Sequence, residues 1–117
     1  MKYMLLIHTN GSDWEDPAEA EAMMGEYMAF TQSIVESGEL VSGDPLEGPD
    51  TATTVKVRGG TTSTTDGPFA EVKEFLAGYY IVDVKDLDRA LELAARIPDA
   101  RTAGIEVRPI REMGMPS

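Results

Sequence analysis

The sequence predicts an α+β domain: a ferredoxin-like split βαβ sheet carrying an additional β-hairpin. Three observations lead there. Residues 2–8 and 76–84 are apolar on both alternating faces, as strands in the middle of a covered sheet are. Two stretches of helical periodicity each lie between one strand and the next. Gly59-Gly60, set between two β-branched runs, is the signal of a two-residue hairpin turn.

The first strand puts Tyr3, Leu5 and Ile7 on one face and Met4, Leu6 and His8 on the other. Asp16-Pro17-Ala18-Glu19 then reads as a helix start, with aspartate as N-cap, proline in the first helical position and glutamate three residues on. Met23, Tyr27, Phe30 and Ile34 form the core-facing stripe of that helix, Met24, Met28 and Val35 widen it, and Gly38 ends it. The methionines read as adaptable core. Leu40 and Val41 begin a short extended piece, after which Gly43, Pro45, Gly48 and Pro49 break regular structure until about Asp50. Residues 53–58 and 61–65 are the hairpin strands.

In 76–84, Leu76, Gly78, Tyr80, Val82 and Val84 share one face, and Ala77, Tyr79 and Ile81 share the other. Asp86 caps a second helix with apolar positions at Leu87, Ala90, Leu91, Ala94 and Ile97, closed by Pro98. Residues 105–110 form the last strand. Two helices cover only one face of such a sheet, yet its central strands are apolar on both. The expected cover is a second copy, in a twofold homodimer whose sheets face each other.

At 117 residues the chain is one domain, residues 1–117, with a single core. Its 21 acidic against 10 basic residues give a formal charge of −11, which disfavours direct nucleic-acid binding and anionic membrane surfaces. The acidic excess peaks at Asp13, Glu15, Asp16, Glu19 and Glu21. With no cysteine, disulfides and thiolate chemistry are excluded. The apolar run at the N-terminus stops at Ile7, too short for a signal core or a membrane span, so a cytoplasmic location is expected. One histidine and scattered carboxylates lack a metal-ligand cluster, and Gly59-Gly60 lacks the context of a phosphate loop. Neither metal nor cofactor is expected.

Candidate site residues gather at two places. His8 ends the first strand, and imidazole is the side chain that exchanges protons near neutral pH, which makes it the candidate acid or base. Asp66, from the run Thr64-Thr65-Asp66-Gly67-Pro68-Phe69-Ala70-Glu71-Val72-Lys73-Glu74, or Asp44, from Gly43-Asp44-Pro45, is the candidate to orient it. Asp-Gly-Pro fixes a turn, so Asp66 has an equally good structural role as a bond to its own backbone. Phe69 and Lys73 in that loop, and Tyr79 and Tyr80 in the strand after it, are the candidate ligand-binding residues. Adjacent in a strand, the two tyrosines must face opposite layers.

These segments together resemble the YCII-related family, and within it the branch named for its Asp-Gly-Pro-Phe motif. The likeness rests on MKYMLLI, GEYMAFTQSIVESGEL, TATTVKVRGG, TTDGPFAEVKEFLAGYYIVDVKDLDRALELAARIPDA and GIEVRPI, nearly the whole chain. It implies a ferredoxin-like fold that dimerises into an α/β barrel. The wider family pairs a helix-borne histidine with an aspartate, but the first helix here carries Met23, Met24, Tyr27 and Met28 instead. The reading is a dimeric barrel that binds a small molecule, with cofactor-free acid–base chemistry as its candidate activity. The alternative is a non-enzymatic interaction module working with an alternative sigma factor, as the resemblance also implies for this branch. A third reading makes the motif a fold signature alone.

Overall fold

Among the described residues, six strands and two helices follow one another in the expected order. The computed structural model describes residues 1–68 and 73–113; the loop residue Phe69 lies outside them. The strands are β1 (Lys2–Thr9), β2 (Leu40–Pro45), β3 (Thr53–Arg58), β4 (Thr61–Asp66), β5 (Phe75–Asp83) and β6 (Gly104–Pro109), and the helices are α1 (Pro17–Glu36) and α2 (Leu87–Arg96). Four strands form one antiparallel sheet in the order β2-β5-β1-β6, while β3 and β4 pair only with each other. That order, with a helix after β1 and another after β5, is the ferredoxin-like arrangement, and the hairpin is inserted between β2 and β5.

Helix α1 begins as its sequence dictates. The Asp16 carboxylate accepts a hydrogen bond from the Ala18 amide at 3.0 Å, and Gly38, at φ 78°, takes the left-handed turn after the last helical residues. Met23, Phe30 and Ile34 are buried, but Met24, Met28 and Val35 are exposed, Met28 by 66%. The buried stripe is therefore narrower than the periodicity predicts, because one sheet face is all that α1 covers. In α2, capped by Asp86 through the Arg89 amide, the buried residues are Ala90, Leu93 and Ala94. Leu87 and Leu91 are exposed, so the helix is rotated towards Leu93 from the face expected.

The core lies between this helical layer and one sheet face: Tyr3, Leu5 and Ile7 from β1, Tyr80 and Val82 from β5, and Phe30, Ile34, Leu93 and Ile97 above them. A polar chain runs through it. Thr31 Oγ1 donates to the Tyr27 carbonyl at 2.9 Å, so at 2.6 Å the Tyr80 hydroxyl must be the donor to Thr31 Oγ1, which has only one proton to give. The Tyr27 hydroxyl donates in turn to the carboxylate of Asp99, which is 1% exposed and also accepts from Thr102 Oγ1 at 2.8 Å. Burial, with the bond to Asp99, pushes the Tyr27 hydroxyl well above the usual phenol range.

β2 runs on through Pro45, further than its glycine and proline suggest, because glycine is what the pairing needs. A Cβ on Gly43 would stand 2.7 Å from Tyr80 Cδ1 and 2.8 Å from the Tyr79 carbonyl oxygen, and one on Gly78 would stand 2.9 Å from the Asp44 carbonyl oxygen. The hairpin turn holds Gly59 at φ 55° and Gly60 at φ 80°, the two positive values that a type I′ turn requires.

Candidate functional site

The second face of the four-stranded sheet carries no helix, and the strand registers show what lies on it. One row across the sheet reads Asp44, Tyr79, Leu6, Glu106; the next reads Ser42, Ile81, Met4, Arg108. Residues opposite one another in antiparallel strands share a face, so Met4, Leu6, Tyr79 and Ile81 form its apolar centre. Each is only part-exposed in the single chain.

His8 belongs to the same face, one step beyond Leu6. A β-bulge there leaves Ala77 without a partner on β1, so His8 stands opposite Leu76 and Ile7 opposite Gly78. The bulge overturns the simple alternation read for residues 76–84: Leu76 shares the face of His8, and Ala77 packs against the core. On its other side His8 stands opposite Gly104, which has no side chain to cover the ring.

The partner of the imidazole is Glu106. His8 Nε2 lies 3.5 Å from Glu106 Oε1, a diagonal contact between β1 and β6 that a long side chain can span. Glu106 Oε2 is 3.8 Å from Arg108 Nε on the same strand. Sequence reasoning missed Glu106. The available signal was the alternation of Ile105 and Val107 with Glu106 and Arg108, which puts the charged pair on the face opposite the core.

The two carboxylates expected beside His8 are placed otherwise. Asp44 Oδ2 accepts from the Tyr79 hydroxyl at 2.8 Å, two strands away from His8, and this bond raises the pKa of the Tyr79 phenol. Asp66 is the last residue of β4, opposite Thr53 in the exposed hairpin. Of the adjacent tyrosines, Tyr79 is on the open face, while Tyr80 is buried under α1 with its ring edge-on to Phe30 at 5.3 Å. Lys73 is exposed and precedes β5 at the His8 end of the sheet, and Phe69 is outside the described residues.

Among the described residues, a groove opens on the helical side. It lies between α1 and the turn Pro98–Arg101 and is lined by Glu26, Ala29, Phe30, Arg96, Pro98 and Arg101. Its arginines are engaged, Arg96 by Ser33 and the Phe30 ring and Arg101 by Glu26. The open face carries no helix, and a sheet face encloses a ligand only when something closes over it. Among the described residues there is no group of three or more His, Asp or Glu that could hold a metal, and no helix long and apolar enough to cross a membrane.

Comparison with known proteins agrees with this architecture. The solved structure of 5-chloro-2-hydroxyhydroquinone dehydrochlorinase (TftG) from Burkholderia phenoliruptrix AC1100, in complex with 2,5-dihydroxybenzoquinone, superposes with a TM-score of 0.54 over 97% of both chains. At 12% identity, that likeness is one of fold. An uncharacterized protein of Rhizobium meliloti (strain 1021) is 38% identical over 94 residues, 79% of this chain and 76% of that protein. The model of the YCII-related domain matches residues 1–114. The chain belongs to the YCII-related family.

Proposed function

We propose that the open face of the sheet is a small-molecule site, closed over by a second copy of the chain to make an α/β barrel, and that His8 carries out cofactor-free acid–base chemistry there. The observation that carries this reading is the His8 imidazole, 32% exposed and 3.5 Å from Glu106, beside the apolar centre formed by Met4, Leu6, Tyr79 and Ile81. Glu106 takes the orienting role, fixing the ring of His8 as it accepts a proton from a ligand hydroxyl. Tyr79, on the strand next to β1 and held by Asp44 from the strand beyond, offers a second polar contact on the other side of Leu6, which suits a single ring laid across that leucine. The ligand of the dehydrochlorinase structure is a flat hydroxylated ring of that size, which supports a small aromatic or carboxylate-bearing molecule here. Lys73, exposed just before β5 at the His8 end of the sheet, would stand at the rim.

A homodimer answers the exposed face. Burial is worth about 25 cal/mol per Å² of apolar surface, and soluble monomers rarely leave such a patch in water. The test uses 2,5-dihydroxybenzoquinone as a probe in titration calorimetry, beside sedimentation of the same samples. Wild-type protein should sediment as a dimer and bind the probe, and His8→Ala should weaken binding about tenfold or more with the dimer intact. Unchanged binding by His8→Ala would remove the histidine from the site.

A further inference from the structure

Two cations of this acidic chain, Lys2 and Arg108, meet on the open face of the sheet. Arg108 stands opposite Met4 on β6, and Lys2, two residues before Met4 on β1, is its diagonal neighbour. Each alternates with a residue packed in the core, Lys2 with Tyr3 and Arg108 with Val107, which fixes both on the helix-free side. Arg108 is 70% exposed, and among the described residues its charged contact is Glu106 Oε2, 3.8 Å from Nε and too long for a hydrogen bond. Lys2 is exposed and forms no ion pair among the described residues. Two other carboxylates on this face are already engaged: Asp44 accepts from the Tyr79 hydroxyl, and Asp83, opposite Lys2, accepts from the Met1 amine at 2.9 Å.

A neutral ring gains nothing from two cations beside the apolar centre, but a carboxylate does. The guanidinium fork offers paired N–H donors that match two carboxylate oxygens. In a chain with 21 acidic and 10 basic residues, a local pair of cations is also what offsets the repulsion of an approaching anion. Glu106 ties this corner to the imidazole, since its Oε1 is 3.5 Å from His8 Nε2 while its Oε2 faces Arg108. Between them, Met4 and Leu6 stand about 7 Å apart along β1, the span of one substituted ring. We infer that Arg108, with Lys2 beside it, is the anion seat of the open face, and that the ligand is a hydroxylated aromatic carboxylate. Its ring lies over Met4 and Leu6, its carboxylate is held by the guanidinium, and a hydroxyl is turned towards His8. The inference rests on the small-molecule reading above and adds the class of ligand and the direction in which it lies.

Titration calorimetry of the full chain with 2,5-dihydroxybenzoate and with hydroquinone tests it, because the two probes share a ring and its para hydroxyls and differ by the carboxylate. Wild-type protein should bind the acid about tenfold or more tightly than hydroquinone. Arg108→Gln should abolish that preference while leaving hydroquinone within about threefold, and Arg108→Lys, which keeps the charge without the fork, should restore part of it. Lys2→Gln should reduce the preference about threefold, as loss of the more distant charge does. Sedimentation should show each variant in the oligomeric state of wild type. If neither probe binds, and 2,5-dihydroxybenzoquinone does not bind either, the small-molecule reading falls and the anion seat with it. If 2,5-dihydroxybenzoquinone binds in a manner that depends on His8, but the acid and hydroquinone bind equally or the preference survives Arg108→Gln, the anion seat alone is overturned. Dissociation of the Arg108→Gln protein would overturn it too, since the arginine would then hold the second copy.

Discussion

The two faces of the four-stranded sheet are drawn from alternate residues of the same strands, and they obey different rules. On the helical face Leu5, Val82, Ile34 and Leu93 are fully buried, and the polar groups are locked by short bonds: Tyr80 to Thr31, Tyr27 to Asp99, Thr102 to Asp99. On the open face Met4, Leu6, Tyr79 and Ile81 are half-buried; Tyr79 is held by Asp44 at 2.8 Å, but His8 lies a longer 3.5 Å from Glu106. A pair that exposed is worth about 0–1 kcal/mol, too little to explain the placement of a histidine by stability. One face is finished within the chain, and the other is left available.

The neighbours Leu5 and Leu6 test that contrast most severely. Leu5→Ala should cost about 2–5 kcal/mol of unfolding free energy at any protein concentration, since it opens a cavity in packed core. Leu6→Ala should cost about 1 kcal/mol or less in dilute protein, with a penalty that grows with concentration if, as proposed, a second copy covers the face. Urea unfolding at two concentrations reads both. Equal losses for the two variants in dilute protein would mean that the open face is packed within one chain.

Next in size is Gly43→Ala, where the new methyl meets the Tyr80 ring and the Tyr79 backbone of the adjacent strand. Overpacking of this kind costs about 1–3 kcal/mol, and amide exchange should show the loss concentrated in the β2–β5 ladder. Tyr27→Phe belongs to the same range, about 1–3 kcal/mol, because it takes a donor from the buried Asp99 carboxylate without changing the volume. If Tyr27→Phe is neutral in thermal unfolding, another donor reaches Asp99 when Tyr27 leaves.

What the sequence disclosed follows the same division. Strand alternation, the Asp16 and Asp86 caps, Gly38 and the Gly59-Gly60 turn are local signals, and each marks its element within a residue or two. The opposition of Tyr79 and Tyr80 was equally legible, being a consequence of the pleat. What could not be read was how one strand meets another. The bulge at Ala77 moves Leu76 to the face of His8, and the pairing of β1 with β6 brings Glu106 to the imidazole where Asp44 or Asp66 was expected. Both depend on register, which long-range packing sets. The width of the helical stripes failed for a related reason: periodicity reports what a helix can bury, and Met24, Met28, Leu87 and Leu91 stay exposed because nothing among the described residues covers them.

The smallest expected effect concerns the best-made ion pair on the finished side. Arg89 Nε and Nη2 each donate to Glu39 at 2.8 Å, tying α2 to the start of β2, and this two-point hydrogen bonding holds the Glu39 carboxyl down at about 2. In the unfolded chain that carboxyl titrates near about 4.3. Between the two values only the unfolded chain takes up the proton, so the contribution is complete above about pH 4.3 and disappears as the pH falls towards about 2. Glu39→Gln keeps the shape and cannot titrate. Its melting temperature should start a few degrees below that of wild type at neutral pH, and the two curves should converge over that acid interval. Curves that coincide from neutral pH downwards would show that the clamp contributes nothing to stability. The finished face would then owe its advantage over the open one to packing and buried hydrogen bonds alone.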